Sequence, residues 1–241
     1  FAQEFNLVFN FSSYSQLANS SEVDIVYIAT PNSCHMENAL LCLNSGKSVL
    51  IEKPFATNIQ DAKTLIDLAI KNNLFLMEAI WTRFIPAFNK IEQLINSGEI
   101  GEIKTFQATL GQPSIINQDS NLFNNAMGGG SLLDLGVYLI FWSQFFFGSP
   151  TRVQSNLYRG NTDVDITASI LLNYNQGRHA NISSSIVTRF ANNGVIYGTK
   201  GAIEIHQPLY CPTAISIIKY KETGVSTKNK KYFLSKIFDK V

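Results

Sequence analysis

Two short apolar runs, Asp24-Ile-Val-Tyr-Ile-Ala29 and Ser48-Val-Leu-Ile51, most constrain what this chain can become. Both are nearly continuous in apolar character and rich in β-branched residues, the pattern of parallel strands buried on both faces. Parallel neighbours need a crossover, and a helix is predicted between them. Asn32 or Ser33 can cap that helix, it runs through Leu43, and Ser45-Gly46 stops it. A second helix follows over Ile59–Lys71, with apolar residues at Ala62, Leu65, Ile66 and Ala69, and Leu74–Met77 reads as a further strand. Upstream, Leu7–Phe9 reads as a strand and Ser13–Ala18 as a short helix capped by Ser12 or Ser13. This alternation predicts a doubly wound α/β sheet.

Each buried strand runs into a polar turn, Thr30-Pro31-Asn32 after the first and Glu52-Lys53-Pro54 after the second. In an open α/β sheet, ligands bind beyond the carboxyl ends of the strands. The two turns therefore define a crevice, and Lys53 sits where chemistry is expected. Taken alone, Glu52-Lys53 reads first as an exposed ion pair before a helix, and the flanking sequence turns the reading toward a site. His35, at the start of the first crossover helix, is either a cap or surface residue or a ligand contact on that edge.

The second half has another pattern. Trp81–Pro86 is a crossing segment, Ala87–Asn96 a helix stopped by Ser97-Gly98, and Ile103–Leu110 a strand. Pro113–Asn125 is polar and without period, so it reads as a long loop. Gly128–Gly130 leads into a helix over Ser131–Phe146 that is apolar nearly all round and so buried. Strands are predicted at Arg152–Leu157, Asp165–Tyr174, His179–Val187, Gly194–Gly198 and Ala202–His206, with a hairpin signal at Asn173-Tyr-Asn-Gln-Gly177. A run of strands after a βα region indicates a separate α+β domain with a large antiparallel or mixed sheet. The expected division is residues 1–81 and 82–241. Asp134 and Tyr138, four apart, share one face of the buried helix. An aspartate there is costly unless paired. It is either a structural cap or lysine partner, or part of an acid–base cluster with Lys53.

Composition narrows the classes. Of 241 residues, 45% are apolar and 15% charged, and the net charge is +1, which makes no electrostatic case for nucleic acid or an anionic membrane. The most apolar stretch, Leu132–Phe147, is interrupted by Asp134, Gly136, Tyr138, Ser143 and Gln144, so no membrane span is predicted. Phe1-Ala2-Gln3-Glu4-Phe5 has no signal-peptide pattern, and a cytoplasmic location is expected. Cys34, Cys42 and Cys211 make no metal or redox spacing.

The runs Asp24–His35 and Gly46–Pro54 together resemble the glucose–fructose oxidoreductase / inositol dehydrogenase (Gfo/Idh/MocA) family. Met77-Glu-Ala-Ile-Trp-Thr-Arg-Phe-Ile-Pro86 and Gly128-Gly-Gly-Ser-Leu-Leu-Asp-Leu-Gly-Val-Tyr138 resemble its branch of dimeric dihydrodiol dehydrogenases and NADP-linked xylose dehydrogenases. The resemblance extends from about Phe1 to Pro212. It implies hydride transfer between NADP or NAD and a secondary alcohol of a sugar, polyol or trans-dihydrodiol, with NADP favoured. It implies Tyr138 as acid/base, Lys53 holding the substrate oxygen and tuning Tyr138, and Asp134 orienting the pair. Free tyrosine titrates near pH ~10, and a neighbouring ammonium favours its phenolate. Thr30, Pro31, Asn32, His35, Glu52, Lys53 and Trp81 would line the nicotinamide end of the cofactor. Trp81, Arg83 and Phe84 would shape the substrate pocket. A homodimer through the open face of the second sheet is also implied, with Ser183–Ser185 and Thr167–Leu171 as candidates.

The same comparison implies truncation at both ends. Family members open with a strand, a glycine-rich phosphate loop and a helix, and no G-x-G-x-x-G occurs in this chain. Gly128–Gly130 does not follow a strand of the first domain and is not read as a phosphate loop. Without the opening strands, the strand at Asp24–Ala29 would expose a flat apolar edge. Lys219–Val241, rich in lysine, reads as a solvated tail. The alternatives are a non-catalytic dinucleotide- or sugar-sensing protein, or an inactive fragment, on the same scaffold.

Overall fold

Three strands form where the apolar runs predict them. The computed structural model describes residues 2–117, 120–220 and 226–233. The chain divides into two units, one of residues 1–79 with 126–128 and the other of residues 80–125 with 129–241. The first unit opens with α1 (Tyr14–Asn19), capped by the Ser13 side chain. Then follow β1 (Ile25–Ile28), α2 (His35–Asn44), β2 (Ser48–Ile51), α3 (Ile59–Lys71) and β3 (Leu76–Glu78). The three strands are parallel in the order β1-β2-β3, with Val26 opposite Val49 and Leu50 opposite Met77. The unit is a Rossmann-like parallel sheet. Its core is small: Ile28, Val49 and Ile51 from the strands meet Ala39, Leu43, Leu65 and Ala69 from the helices.

Details of the first unit follow local chemistry. Asn58 accepts from the Asp61 N–H and caps α3. Asn32–Cys34 forms one 3-10 turn ahead of α2, and neither Asn32 nor Ser33 caps that helix by its side chain. Gly46 stops α2 with φ +76°, a conformation glycine adopts without Cβ strain. Leu7–Phe9 is not a strand. Val8 is 85% exposed, and a strand without a ladder partner leaves its backbone groups to water. β1 is an edge strand with Ile25 and Tyr27 exposed, as the strand order leads one to expect.

The second unit contains α4 (Pro86–Asn96), β4 (Ile103–Gly111), α5 (Val137–Phe147) and seven further strands. These are β5 (Arg152–Arg159), β6 (Asp165–Asn173), β7 (His179–Ser185), β8 (Gly194–Gly198), β9 (Gly201–Ile205), β10 (Ala214–Tyr220) and β11 (Ser226–Phe233). The sheet order is β11-β10-β9-β8-β4-β7-β6-β5. Only the β4–β7 pair is parallel, so the large sheet is mixed. The expected tail Lys219–Val241 instead supplies the end of β10 and all of β11, and β10, a strand the sequence reading did not place, lies between β9 and β11 and buries Ile215 and Ile217. The parts of that tail at 221–225 and 234–241 lie outside the described residues. Among residues 112–127, short 3-10 turns at Asn121–Phe123 and Asn125–Met127 break the predicted loop.

The segment Asn125–Phe147 is long and apolar enough to cross a membrane by length and composition. Within the second unit, its residues 132–147 pack against the mixed sheet at β4 and β7, with Leu139 and Trp142 fully buried. Trp142 stacks between Phe88 of α4 (5.1 Å) and Phe146 (5.5 Å). Such aromatic pairs add about 0.5–1.5 kcal/mol each beyond their burial.

Candidate functional site

In the first unit, the predicted polar turns do fall together at the carboxyl ends of β1 and β2. Thr30, Pro31, Asn32, Glu52 and Lys53 are all partly buried there. They are tied by a network of specific bonds. Tyr27 donates its hydroxyl to Glu52 Oε1, and Glu52 Oε2 accepts from the Lys53 backbone N–H at 3.0 Å. The Asn38 amide donates to Thr30 Oγ1 at 3.1 Å. Asn32 Nδ2 donates to the Gly128 carbonyl at 2.8 Å, which anchors the 126–128 excursion on this unit. Gly128 has φ +73°, and a Cβ there would come within 3.0 Å of the Asn32 Cβ.

His35 is fully buried in the same network, its Nδ1 2.9 Å from the Pro54 carbonyl and its Nε2 3.0 Å from the Thr30 carbonyl. Both ring nitrogens are thereby engaged by backbone. Glu78, at the end of β3, was missed in the sequence. Burial raises its proton affinity, which the Phe55 N–H bond at 2.9 Å partly offsets, Glu52 reinforces and the nearby His35 opposes. Its signal was the strand-terminal acid in Leu76-Met-Glu78, one strand over from Glu52-Lys53.

The second unit holds the other predicted group. The Trp81 indole N–H donates to the Tyr138 hydroxyl at 3.1 Å, and Tyr138 is 6% exposed. Tyr210 completes an aromatic cluster, its ring centroid 5.8 Å from that of Tyr138 and 6.0 Å from that of Trp81. Thr82, fully buried, donates to the Tyr210 carbonyl at 2.7 Å and so fixes the loop that carries it. Tyr210 has no motif around it; only the fold reveals it.

The helix bearing Asp134 and Tyr138 is not uniform. Leu132–Gly136 is a π-helical stretch, and α-helix begins at Val137. Single π turns inside helices are frequent at functional sites, because they re-aim side chains. Asp165 of β6 caps the stretch, accepting from Ser131 Oγ and the Leu132 N–H, both at 2.7 Å. This explains the third glycine of the run: Gly130 has φ +122°, and a Cβ there would lie 2.2 Å from Asp165 Oδ1. Asp134 itself is partly buried, within the π turn.

Arg83 and Phe84 are placed otherwise. The Arg83 guanidinium lies 4.4 Å above the Phe88 ring and 3.8 Å from Glu92 Oε1, and Phe84 is 61% exposed. An apolar groove of about 380 Å³ flanks α5, lined in part by Ile140, Val153, Leu157, Ile170 and Leu172, and contains none of the predicted site residues.

The first unit brings the Glu52 carboxylate, the Asn32 amide and Lys53 to two adjoining strand-end turns, a set of groups that would suit a dinucleotide's nicotinamide end. Residues 1–80 match the model of the "Oxidoreductase family, NAD-binding Rossmann fold", and residues 88–204 match that of the "GFO/IDH/MocA C-terminal domain". The trans-1,2-dihydrobenzene-1,2-diol dehydrogenase of Xenopus laevis is 38% identical over 225 residues, covering 92% of this chain and 67% of that protein. Its counterpart from Homo sapiens is 33% identical, covering 90% and 65%. The chain thus spans about two thirds of the length of these relatives. Among solved structures, a 3-ketoreductase from Actinomadura kijaniata in complex with NADP and TDP-benzene superposes with a TM-score of 0.83 at 26% identity, covering 97% of this chain and 72% of that one. A levoglucosan dehydrogenase in complex with NADH and levoglucosan shares the fold, with a TM-score of 0.85 at 22% identity, covering 96% and 66%. With both family models matched in order along the chain, the protein belongs to the GFO/IDH/MocA family of NAD-binding oxidoreductases.

Proposed function

We propose that the chain carries out NAD(P)-dependent hydride transfer at a secondary alcohol carbon of a trans-dihydrodiol, a sugar or a polyol. The observation that carries the reading is the hydrogen bond from Trp81 to the buried Tyr138 hydroxyl, set just after a π turn. When bound, the dinucleotide supplies the hydride acceptor or donor. Tyr138 serves as the acid/base for the alcohol proton. An N–H donated to its oxygen stabilises that oxygen when it carries charge. Lys53 binds the substrate oxygen, and Asp134 orients the catalytic groups. Thr30, Pro31, Asn32 and Glu52 line the nicotinamide end. Trp81 forms substrate wall, while Arg83 contributes through its packing on Phe88.

The substrate class takes its support from the printed names of the Xenopus laevis and Homo sapiens relatives. NADP is preferred to NAD, supported by the 3-ketoreductase complex. A cytoplasmic homodimer is part of the same reading. The dimer takes its support from the polar face of β6 and β7 that carries the exposed Ser169 and Asn181, where Ser169 pairs with Ser183 at 3.1 Å.

The test is an oxidation assay with trans-1,2-dihydrobenzene-1,2-diol and with xylose, following reduced nicotinamide. The chain is assayed as it stands and fused behind the residues that precede the matched region of the Xenopus laevis relative. Tyr138→Phe and Lys53→Met are each expected to lower turnover by at least about a hundredfold. Near-normal turnover in both variants would overturn the mechanism.

A further inference from the structure

His35 lies in the first unit with no water-facing surface, and its two ring nitrogens point at two different turns. Nδ1 is 2.9 Å from the Pro54 carbonyl oxygen, and Nε2 is 3.0 Å from the Thr30 carbonyl oxygen. A carbonyl oxygen only accepts, and a neutral imidazole has one N–H. In either neutral tautomer, one of these contacts would set a nitrogen lone pair against a carbonyl lone pair in a buried place. An unsatisfied buried contact of that kind is destabilising. Only the ring with hydrogen on both nitrogens satisfies both carbonyls.

We propose that His35 is a positioning residue held as the imidazolium, a charged clasp that fixes the Thr30 and Pro54 carbonyls and with them the two turns of the nicotinamide edge. This rests on the reading of that edge as the nicotinamide end of the site. The clasp adjoins Lys53 and the Thr30-Pro31-Asn32 turn within the first unit. The Pro54 carbonyl follows Lys53 directly, and the Thr30 carbonyl opens the Thr30-Pro31-Asn32 turn. The acids of this edge lie at the ends of β2 and β3, and burial raises the proton affinity of Glu78 while a positive His35 lowers it. Glu78 is close enough for its ionisation to be favoured by a positive His35, and Glu52 is the other acid on this edge. His35 therefore does not contact the cofactor in this reading. It shapes the strand ends that do.

The test has two arms on the full chain. In the first, the ¹⁵N-labelled protein at neutral pH is observed through the two-bond couplings of its imidazole rings. His179→Gln and His206→Gln assign the other two histidines and leave His35 in its native site. Both ring nitrogens of His35 are expected in the protonated range; one unprotonated ring nitrogen would overturn the clasp. In the second arm, His35→Gln can donate from only one atom. Amide exchange at Asn32, Lys53 and Phe55 is expected to accelerate about tenfold or more, with α3 amides unchanged, as loss of a charged hydrogen bond predicts. Unchanged exchange at those turns would also overturn it. NADPH binding, followed by fluorescence on the chain fused behind the residues that precede the matched region of the Xenopus laevis relative, separates the two readings. A protonated His35 in a chain that binds no nicotinamide upholds the clasp and removes the oxidoreductase reading. A neutral His35 in a chain that binds does the reverse.

Discussion

Among the described residues, the largest fully buried side chains of the first unit are Leu43, Ile51 and Leu65, whereas the second buries Trp142, Phe88 and Phe106. A three-stranded sheet with an exposed edge strand offers little apolar area to two helices. An eight-stranded sheet offers a broad face, and α4 and α5 lay an aromatic layer on it. Burial stabilises by about 25 cal/mol per Å² of apolar surface, so the second unit holds the larger reserve. Among the described residues it carries two buried polar atoms without a hydrogen-bond partner, Trp142 Nε1 and the Tyr174 hydroxyl. The first unit spends its polar groups differently. Tyr27, Glu52, His35, Asn38 and Asn32 tie the strand ends to each other. The difference teaches that a thin core can still hold a precise edge, provided the edge carries its own bonds.

The largest effect tests the thicker side. Phe88 is fully buried, packs within 4.3 Å of Phe145 by ring centroid, and carries the Arg83 guanidinium on its face. Phe88→Ala is expected to cost about 3–5 kcal/mol. Hydrogen exchange should show the loss at β4 and β9, with protection at β1–β3 retained. Equal loss at β1–β3 would break the contrast between the units.

A somewhat smaller free-energy change should have the larger consequence on the thin side. Leu65 is fully buried on α3 against the α2 layer. Leu65→Ala is expected to cost about 2–5 kcal/mol. With less reserve behind it, the first unit should lose amide protection throughout β1–β3 while β4 keeps its own. A loss confined to α3 would show the small core to be stronger than its composition indicates.

How much of this was legible in the sequence follows the same division. The residues of β2 and α3 are those the apolar spacing predicts, because strand and helix periods are local signals. Leu7–Phe9 shows where a local signal fails, since three apolar residues make a strand only beside a partner. The opposite failure is β10 and β11. The apolar run Ala214–Ile218 has strand character, but the lysines that follow suggested a tail, and lysines are at home on an edge strand. The site divides likewise. Lys53 and Tyr138 were singled out from position and motif. Trp81 was expected at the nicotinamide end, and its bond to Tyr138, 57 residues away, was not foreseeable. Asp165 and Tyr210 were missed because their roles exist only through contacts distant in sequence.

The smallest expected effect concerns the bonded edge itself. Burial raises the proton affinity of Glu78, and the Phe55 N–H bond and the His35 charge only partly counter it. A folded-state pKa above the unfolded one means that the folded state binds the proton more tightly. The stabilisation it brings is fully present below the ordinary glutamate range and is lost as pH rises through the raised folded value. Glu78→Gln keeps an oxygen to accept the Phe55 N–H but does not titrate. The unfolding free energy of wild type, followed at β1–β3 amides, should fall across the window that opens at the ordinary glutamate range and extends upward. The variant should be flat there. The slope is the decisive quantity, because removing the charge also removes the anion that faces His35. A wild-type slope that persists in Glu78→Gln would assign the titration to Glu52 or another group, and the edge would then owe less to this buried acid than its geometry indicates.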